Sequence, residues 1–339
     1  MKFESNYSLK PYNSFRFEVT AKFVSFAYEV NDLLDLLLFA SDKKLPVLIL
    51  GSGSNVIIQD NFNGLVIIMK MEDITITKGL DGYMYVKASA GVNWDKFVSH
   101  TLDNFCYGLE NLSYIPGTVG ACPIQNVGAY GVETADFFQE LEAIDRETLE
   151  LVYFDKNFCS FSYRNSIFKN QLKNRYIITS VTFRLHSKQK INTNNKILLE
   201  ELNSVNQVIS SELIRKSVIK IRKKRLPDVD VLGNAGSFYI NPVVEKFQAQ
   251  EINKRYQDLL FYPLENDKVK LSAGWLIDKC GWRGFEDINF SVGVFKENPL
   301  VLINLGHATA KNILDLSHKI TKSVLDKFSI HLNIEPLIY

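Results

Sequence analysis

The sequence predicts a mixed α and β protein of two or three domains. Segments in which apolar and polar residues alternate, which indicate strands, are interleaved with segments of helical periodicity along the chain. The 339 residues, 46% of them hydrophobic and 23% charged, exceed what one compact core usually accommodates. There is no internal repeat and no low-complexity linker. Such a chain is long enough to bury a large ligand between its domains.

Charge and cysteine content exclude several classes of function. The formal net charge of +1 provides no general field for polyanions, so nucleic acid is not an expected partner and phosphate recognition must come from local groups. The four cysteines form no CxxC pair and the five histidines form no HExxH pattern, so we infer neither a metal site nor a disulfide framework. The first residues lack the apolar core of a signal peptide, and no apolar run is long enough to span a membrane. We therefore expect a soluble, cytoplasmic protein with no membrane partner. As a separate expectation, we take it to be a monomer.

The first part of the chain alternates helix and strand signals. The segment "NDLLDLLLFA" at 31–40 has the apolar density of a buried helix, and "KLPVLILGSGSNVII" at 44–58 predicts a strand, a turn and a second strand. Residues 83–90 alternate and lead into a helical pattern, and residues 176–185 alternate again. These signals predict one αβ section and then a second that covers about 70–215.

A domain boundary is expected near residue 225. The stretch 196–227 reads as helical, and Pro227 and Asp228 mark its end. The remaining predicted elements are a helix at 270–282, two strands at 289–305, a long amphipathic helix at 309–330 and a strand at 331–336.

The first candidate for ligand binding is the GSGSN turn, Gly51–Asn55. A Rossmann fingerprint requires a third small residue at position 56 and a helix after it, whereas Val56 begins an apolar, strand-like run. What remains is either a turn whose successive N–H groups and hydroxyls wrap a pyrophosphate, or a simple hairpin turn. Both interpretations stay open at this point.

The second candidate is the glycine loop, "PGTVGACPIQNVGAYG" at 116–131. Loops of this length without regular structure are usually functional or disordered, and apolar residues such as Val119 argue against disorder. Gln125 and Asn126 carry the donors and acceptors that reading the edge of a heterocycle requires; a structural Ω-loop is the alternative. Together with the GSGSN turn, this loop fits a large, phosphorylated, planar cofactor. FAD meets both demands.

The third candidate is the serine loop, "GNAGSFYINP" at 233–242. Two glycines and an alanine precede Ser237, and small residues before a polar one allow a backbone or a ligand to approach closely. Gly, Asn and Ser are also ordinary turn residues. The loop is therefore either a tight structural turn or a support that holds a serine against a reacting atom.

Six motifs occur in a fixed order. They are "LGSGSNVII" at 50–58, "PGTVGACPIQNVGAYG" at 116–131, "YRNSIF" at 163–168, "RLPDVDVLGNAGSFYINP" at 225–242, "AGWLID" at 273–278 and "IEP" at 334–336. With these motifs the chain resembles, over nearly its whole length, the UDP-N-acetylenolpyruvoylglucosamine reductase family, flavoenzymes of the second committed step in peptidoglycan precursor synthesis. The segment "RYQDLLFYP" at 255–263 resembles the tyrosine-bearing loop of the type I branch of that family.

The resemblance implies a fold and a domain order. The fold would be α+β: a three-domain FAD-binding flavoprotein of the oxidase superfamily (PCMH type) with a separate substrate-binding domain. Residues 1–69, rejoined by 327–339, would form the first FAD-binding domain, residues 70–224 the second, and residues 225–326 the substrate-binding domain.

The resemblance also implies two cofactors, FAD and NADPH. The residues that would bind FAD lie in the GSGSN turn, in the glycine loop and at the basic end of the helix before Pro227. They are Gly51, Ser52, Gly53, Ser54, Asn55, Gly117, Thr118, Gly120, Ala121, Gln125, Asn126, Gly128, Tyr130 and Arg222.

The implied reaction has two halves. NADPH gives a hydride to the flavin N5 and leaves, and the hydride then passes to the terminal vinyl carbon of UDP-N-acetylglucosamine enolpyruvate, which yields UDP-N-acetylmuramate. Ser237 matches the general acid that protonates the adjacent carbon, and Arg164 matches the cation that stabilises the negative charge. Glu335 matches a third catalytic position, where a carboxyl assists if it holds a proton.

The sugar nucleotide would contact five further positions. These are Tyr163, which supports the flavin or Arg164, and Arg225, Asn241, Tyr262 and Asn298. Arg225 stands where the family commonly has a lysine for the diphosphate, an exchange that preserves binding and alters geometry. Further departures are Asn165 in place of an aspartate, Asn298 in place of a glutamine, and Asn195 in place of a tyrosine that faces the substrate. Cys122 stands in the glycine loop where a small residue is expected, as a buried apolar residue or as a reactive thiol.

Overall fold

The structure is a computed structural model that describes residues 2–205 and 207–339. Its strands are β1 Glu4–Ser8, β2 Thr20–Ala27, β3 Val47–Leu50, β4 Val56–Ile57, β5 Phe62–Met69, β6 Ile74–Lys78, β7 Tyr83–Ser89, β8 Gly128–Ala129, β9 Val132–Glu133, β10 Phe138–Asp145, β11 Leu151–Asp155, β12 Tyr176–His186, β13 Gly233–Asn234, β14 Val243–Glu245, β15 Phe261–Pro263, β16 Lys268–Leu271, β17 Glu286–Asp287, β18 Val292–Val294, β19 Leu302–Asn304 and β20 Leu337–Ile338. Its helices are α1 Val30–Asp42, α2 Trp94–Asp103, α3 Thr134–Phe137, α4 Lys196–Asn203, α5 Ser211–Arg225, α6 Lys246–Arg255, α7 Ala273–Lys279 and α8 Ala310–Phe328.

The chain forms two compact units, neither of which is continuous in sequence. Unit 1 contains the residues up to Tyr7, Thr20–Gly53 and Phe62–Lys223. Unit 2 contains Ser8–Val19, Ser54–Asn61 and Lys224–Tyr339. The division into three domains at 69, 224 and 326 stays a prediction.

Unit 1 contains a four-stranded sheet in the order β1-β2-β5-β3, in which β5 is parallel to both β2 and β3. The last six residues of β5 are all buried, as expected for a central strand covered on both faces. Helix α1 connects β2 to β3, and Leu33 and Leu36 on its apolar face share a core with Leu65 and Ile67 of β5. The strand, turn and strand predicted at 44–58 are confirmed as β3, the GSGSN turn and β4.

A five-stranded antiparallel sheet, in the order β11-β10-β12-β7-β6, forms the other half of unit 1. Helix α2 packs on it through Trp94 and Phe97, whose rings contact Phe183 of β12. The predicted strands at 83–90 and 176–185 are confirmed as β7 and β12.

The helical prediction at 196–227 is confirmed at both ends of the stretch, but two helices occupy it and the sequence did not predict the break between them. Helix α4 ends at Asn203, and helix α5 begins at Ser211. A contact distant in sequence fixes the second start: Ser211 Oγ donates a hydrogen bond of 2.8 Å to Oε1 of the buried Glu110. Leu198 and Val218, one from each helix, pack in the same core.

Unit 2 contains a four-stranded antiparallel sheet, β13-β19-β18-β17, and a three-stranded antiparallel sheet, β14-β16-β15. Helix α8, predicted at 309–330, is confirmed and buries Ile313, Ile320 and Val324. The early segment Ser8–Val19 belongs to this unit: the Phe15 carbonyl accepts a hydrogen bond of 2.8 Å from the Asn304 side chain.

Two element boundaries in unit 2 differ from the sequence prediction. The helix predicted at 270–282 is only Ala273–Lys279, because the residues before it pair as β16 and Ser272 caps the helix with its side chain. The strand predicted at 331–336 lies later, as β20, and runs parallel to β4. Among the described residues, no helix is long and apolar enough to cross a membrane.

Candidate active site

In unit 1 the GSGSN turn reaches the glycine loop through Gly51. A Cβ at Gly51 would collide with Oγ1 of Thr118, so only glycine permits this approach. Gly53, two residues later, has φ +65°, a conformation that L side chains rarely adopt. Each glycine thus meets a separate requirement of the turn: close approach to Thr118 at position 51 and a positive φ at position 53.

The glycine loop is ordered by contacts with the segment before α2. The amides of Val119 and Gly120 donate to the carbonyls of Val92 and Ala90, and the Trp94 amide donates to the Gly117 carbonyl. A Cβ at Gly120 would lie 2.5 Å from the Ala90 Cβ. At positions 51 and 120, glycine therefore allows the backbone to pack directly against Thr118 and Ala90. Together the GSGSN turn and the glycine loop, here named the cradle, offer backbone N–H groups and hydroxyls, which are the groups that bind a diphosphate.

Cys122 of the glycine loop is a buried apolar residue, which supports the first of the two interpretations. Its side chain is 2% exposed, and burial raises the pKa of its thiol far above the ordinary value of a cysteine. The thiol therefore stays protonated at neutral pH and is a poor nucleophile.

Asn126 of the glycine loop has a structural role. Its Nδ2 donates to Glu133 Oε2 at 2.7 Å and to the Ser162 carbonyl at 3.2 Å, and its Oδ1 accepts from the Ala135 amide at 2.9 Å. The side chain is 1% exposed. For this residue the structure favours the Ω-loop interpretation over reading the edge of a heterocycle. Gln125, next to it, is only half-buried.

Arg164 lies against the glycine loop. Its Nη2 donates to the Gly128 carbonyl at 2.6 Å, and its guanidinium lies 5.3 Å from the centre of the Tyr163 ring. A Cβ at Gly128 would lie 3.0 Å from Arg164 Nη1 and 2.8 Å from Glu133 Cγ. Glycine at 128 therefore leaves room for both charged side chains. The backbone of Arg164 has φ +55°, which is uncommon for an arginine and indicates a constrained position.

Arg222 of α5 is held near the start of the glycine loop. Its Nε donates to the Tyr114 carbonyl at 2.9 Å. Burial lowers the pKa of Arg222 from its ordinary value, and a hydrogen bond with Tyr130 partly opposes this shift. An arginine so placed keeps its charge and is suited to bind phosphate. Glu133, Asp95 and Arg215, which support these arginines, were missed in the sequence because no local pattern marks them.

In unit 2 the serine loop is built on a buried asparagine. Asn234 donates to the carbonyls of Leu232 at 2.8 Å and Pro227 at 3.3 Å, and its Oδ1 accepts from the Gly236 amide at 2.9 Å. Gly236 has φ +67°, so it turns the chain immediately before Ser237, which is half-buried.

Backbone pairing brings Glu335 next to the serine loop. The Phe238 amide donates to the Leu300 carbonyl at 2.7 Å, and the Phe238 carbonyl accepts from the Glu335 amide at 2.9 Å. Tyr239 and Ile334 form the adjoining antiparallel bridge. Backbone hydrogen bonds thus join the segments that carry Ser237 and Glu335, although the two residues lie far apart in the chain.

The predicted substrate contacts in unit 2 are of two kinds: two asparagines bonded to the backbone and two exposed side chains. Asn241 Oδ1 accepts from the Ala273 amide at 2.9 Å, so this side chain helps to fix the start of α7. Asn298 Oδ1 accepts from the Leu300 amide at 3.2 Å within a turn. Tyr262 on β15 and Arg225 at the end of α5 are exposed.

The two other asparagines that depart from the family pattern make local contacts in unit 1. Asn165 accepts a hydrogen bond of 2.8 Å from Asn170, and Asn195 caps helix α4 by accepting from the Leu198 amide at 3.1 Å. Both therefore have a role in the local fold.

Comparison with known proteins gives two family matches along the chain. Residues 21–150 match the FAD binding domain, a range that includes the GSGSN turn and the glycine loop. Residues 227–339 match the C-terminal domain of UDP-N-acetylenolpyruvoylglucosamine reductase, a range that includes the serine loop and Glu335. The mixed α and β fold with an FAD-binding domain is thereby confirmed. Arg164 and Arg222 lie between the two matches.

Full-length relatives carry the same name. The chain is 40% identical over 338 residues to UDP-N-acetylenolpyruvoylglucosamine reductase of Pseudomonas fluorescens, which covers 99% of this chain and 98% of the relative. It is 40% identical over 340 residues to the protein of that name from Flavobacterium johnsoniae, with 99% of each covered. The crystal structure of the Thermus caldophilus reductase has the same fold, with a TM-score of 0.68, 21% identity, and 100% of this chain and 98% of that one covered. The chain therefore belongs to the UDP-N-acetylenolpyruvoylglucosamine reductase family of flavin oxidoreductases.

Proposed function

We propose that this chain reduces UDP-N-acetylglucosamine enolpyruvate to UDP-N-acetylmuramate with FAD as its cofactor and NADPH as its reductant, a reaction of peptidoglycan precursor synthesis. The observation that carries the proposal is the constrained position of Arg164, whose guanidinium lies between the Gly128 carbonyl and the Tyr163 ring at the edge of the glycine loop. An arginine fixed beside a cofactor loop suits a substrate that carries a carboxylate. The names of the full-length relatives supply the substrate class.

The GSGSN turn and the glycine loop hold the cofactor in this proposal. FAD held there would supply hydride transfer from NADPH to the terminal vinyl carbon of the substrate. Gly51 and Gly120 allow the segments of the cradle to pack closely, Thr118 offers a hydroxyl, and Arg222 supplies a positive charge for the diphosphate.

Arg164 and Glu335 act on the charge that hydride addition creates. When the vinyl carbon receives hydride, negative charge develops on the adjacent carbon and spreads to its carboxylate. Arg164 stabilises this charge, and because its guanidinium is already fixed it needs little reorganisation during the reaction. Glu335 assists as a proton-carrying group beside the serine loop, to which its backbone amide is bonded.

Ser237 protonates the carbon next to the carboxylate. A serine hydroxyl is a weak acid, but the carbon is strongly basic, so a well-positioned donor suffices. The positive φ of Gly236 and the small residues before it leave the hydroxyl accessible to a large substrate. Arg225, Asn241, Tyr262 and Asn298 are proposed to contact the sugar nucleotide, with Tyr163 supporting Arg164.

An anaerobic visible spectrum of the purified holoprotein tests the proposal. NADPH should bleach the flavin absorption, and the enolpyruvyl UDP-sugar added afterwards should restore it. UDP-N-acetylglucosamine, which lacks the vinyl group, is the matched control and should leave the flavin bleached. Bleaching without recovery on the enolpyruvyl compound would overturn the assigned substrate while leaving a flavin reductase. A failure to bleach would overturn NADPH as the reductant.

A further inference from the structure

Four residues of unit 1 form a connected cluster beside the glycine loop, here named the Asp95 cluster: Asp95, Tyr114, Arg215 and Arg222. They come from three different places, namely the first turn of α2, the segment before the glycine loop, and α5. None of the four residues belongs to the six motifs, although Arg222 lies just before the fourth.

A two-pronged ion pair holds α5 to α2. Arg215 Nη1 lies 2.6 Å from Asp95 Oδ1, and Arg215 Nη2 lies 3.1 Å from Asp95 Oδ2. The two side chains are only 17% and 28% exposed. A fork-to-fork pair of this kind fixes orientation as well as distance, and its partial burial protects it from screening.

Tyr114 joins the ion pair to Arg222. Its amide donates to Asp95 Oδ1 at 2.6 Å, and its carbonyl accepts from Arg222 Nε at 2.9 Å. Its φ is +57°, and the Lys223 ammonium lies 5.6 Å from the centre of its ring. A tyrosine adopts this backbone conformation only when its surroundings compensate for the strain. Both polar groups of its backbone are therefore engaged, one towards α2 and one towards α5.

The cluster continues directly into the proposed cofactor cradle. Tyr114 precedes Gly117 by three residues, and the Gly117 carbonyl accepts from the amide of Trp94, the neighbour of Asp95. Thr118 forms a bridge with Asn93 and lies against Gly51 of the GSGSN turn. A change at Asp95 would thus reach both loops through bonded neighbours.

We propose that Asp95 and Arg215 are positioning residues for FAD, because their ion pair fixes Tyr114, and Tyr114 sets the Arg222 guanidinium in place before the diphosphate arrives. The inference rests on the proposed function in that it takes Arg222 to face the cofactor phosphates. It adds two residues that never touch the cofactor themselves. Preorganisation of this kind reduces the entropy lost on binding.

Charge alone predicts the opposite effect of removing Asp95. A carboxylate near an anionic diphosphate disfavours binding. If Coulomb forces dominated, neutralising Asp95 would therefore lower the Kd for FAD. Arg215 pairs with Asp95 at 2.6 Å, however, and largely cancels its field at longer range. We therefore expect the loss of orientation to dominate. Salt separates the two effects, since Coulomb contributions over several ångströms weaken at high ionic strength and positioning does not.

The test is the affinity of the apoprotein for FAD, measured by quenching of flavin fluorescence at low and at high salt. Asp95→Asn keeps the size of the side chain and an acceptor for the Tyr114 amide, and removes the ion pair. We expect its Kd for FAD to rise about tenfold at both salt concentrations, the effect of losing one hydrogen bond to a charged group. A Kd within twofold of the wild type, or a tighter one, would overturn the inference.

Asp145→Asn is the matched control in the same unit. Asp145 accepts from Arg175 Nε at 3.2 Å and Nη2 at 3.0 Å, and from the Glu147 amide at 2.9 Å, so it makes a similar set of bonds without reaching the glycine loop. It should destabilise the apoprotein towards heat about as much as Asp95→Asn and leave the Kd for FAD within twofold. If both variants weaken FAD equally, the effect is general destabilisation and the inference fails.

A second variant covers the case in which Asp95→Asn does not fold. Arg215→Lys keeps the positive charge and loses the fork, so it should weaken FAD severalfold, whereas an unchanged Kd would overturn the inference. Wild-type apoprotein that binds no FAD would overturn the proposed function and this inference together. If the wild type binds FAD tightly and the variants have the same Kd for FAD, the inference is overturned and the proposed function stands.

Discussion

Two buried asparagines, one in each unit, support candidate site residues in different ways. Asn126 in unit 1 and Asn234 in unit 2 are 1% and 2% exposed, and each uses its amide for three hydrogen bonds. The bonds of Asn126 reach a carboxylate and the segment that carries Arg164, up to 36 residues away. Those of Asn234 stay within seven residues and shape the turn before Ser237. The arginine is thus placed by distant side chains, and the serine by a local turn.

The difference follows from what each group does in the proposed reaction. An arginine that stabilises charge must point in a fixed direction, and fixing a long side chain needs several partners around it. A serine that gives up a proton needs access, so small neighbours and a rigid backbone suffice. The structural effects of substitutions around Arg164 should therefore extend through side-chain contacts to other segments of unit 1. The effects of substitutions in the serine loop should stay within that loop.

The largest effect is expected from Ser237→Ala, which removes the proposed acid without disturbing its turn. Oxidation of the reduced flavin by the enolpyruvyl UDP-sugar should slow by about 10² to 10⁴, the usual contribution of a general acid, while reduction by NADPH stays within twofold. Stopped-flow absorbance of the flavin measures the rates of both half-reactions. Ser323→Ala on α8 is the control and should change neither. Equal slowing of both halves would contradict the assignment of Ser237.

Asn126→Ala should give the next largest effect. It removes a donor from Glu133 and leaves the Ser162 carbonyl and the Ala135 amide without this partner, so the free energy of unfolding should fall by about 3 kcal/mol. Because Arg164 follows Ser162 by two residues, reoxidation by the sugar nucleotide should slow as well. Urea denaturation and stopped flow check the two claims. A loss of stability below about 1 kcal/mol would be inconsistent with the role given to Asn126.

Asn234→Ala should cost less stability, since all its partners are neutral backbone groups nearby. We expect a loss of about 1 to 2 kcal/mol, with reoxidation slowed and FAD affinity unchanged, because the change is confined to the serine loop. The same denaturation and titration experiments measure it. If this variant loses more stability than Asn126→Ala, the contrast between the two loops is wrong.

The smallest effect concerns pH and Cys122. Burial raises the pKa of this thiol, so above about pH 8.5 the unfolded chain releases a proton that the folded chain retains. The contribution of Cys122 to stability is therefore present below that pH and is lost as the pH rises. In the wild type, this loss lowers the free energy of unfolding by up to about 1.4 kcal/mol for each pH unit above that value. In Cys122→Ala this part of the decrease should be absent. Urea unfolding at two alkaline pH values tests this, and identical slopes for variant and wild type would refute it.

Sequence reasoning reached the features of this molecule that are local. The turn at Gly51–Asn55 and helix α8 were predicted because turn residues and apolar periodicity record them within a few positions. The break between α4 and α5 was not, since it depends on Glu110, which is 101 residues from Ser211. The pair of Asp95 and Arg215 is separated by 120 residues and leaves no pattern in one sequence. The roles of Ser237, Arg164 and Glu335 came from family resemblance and stay predictions.

The hydrogen bond from Asn304 to the Phe15 carbonyl has a consequence for biogenesis. Its two residues are 289 positions apart, so a chain emerging from the ribosome exposes one of them long before the other exists. Phe15 and Phe17, both fully buried in the folded protein, must wait in the nascent chain for that partner. Closing so long a loop is slow, and exposed aromatic residues favour aggregation in the meantime. The segment Ser8–Val19 is thus the part of the nascent chain that chaperones would most need to protect from aggregation.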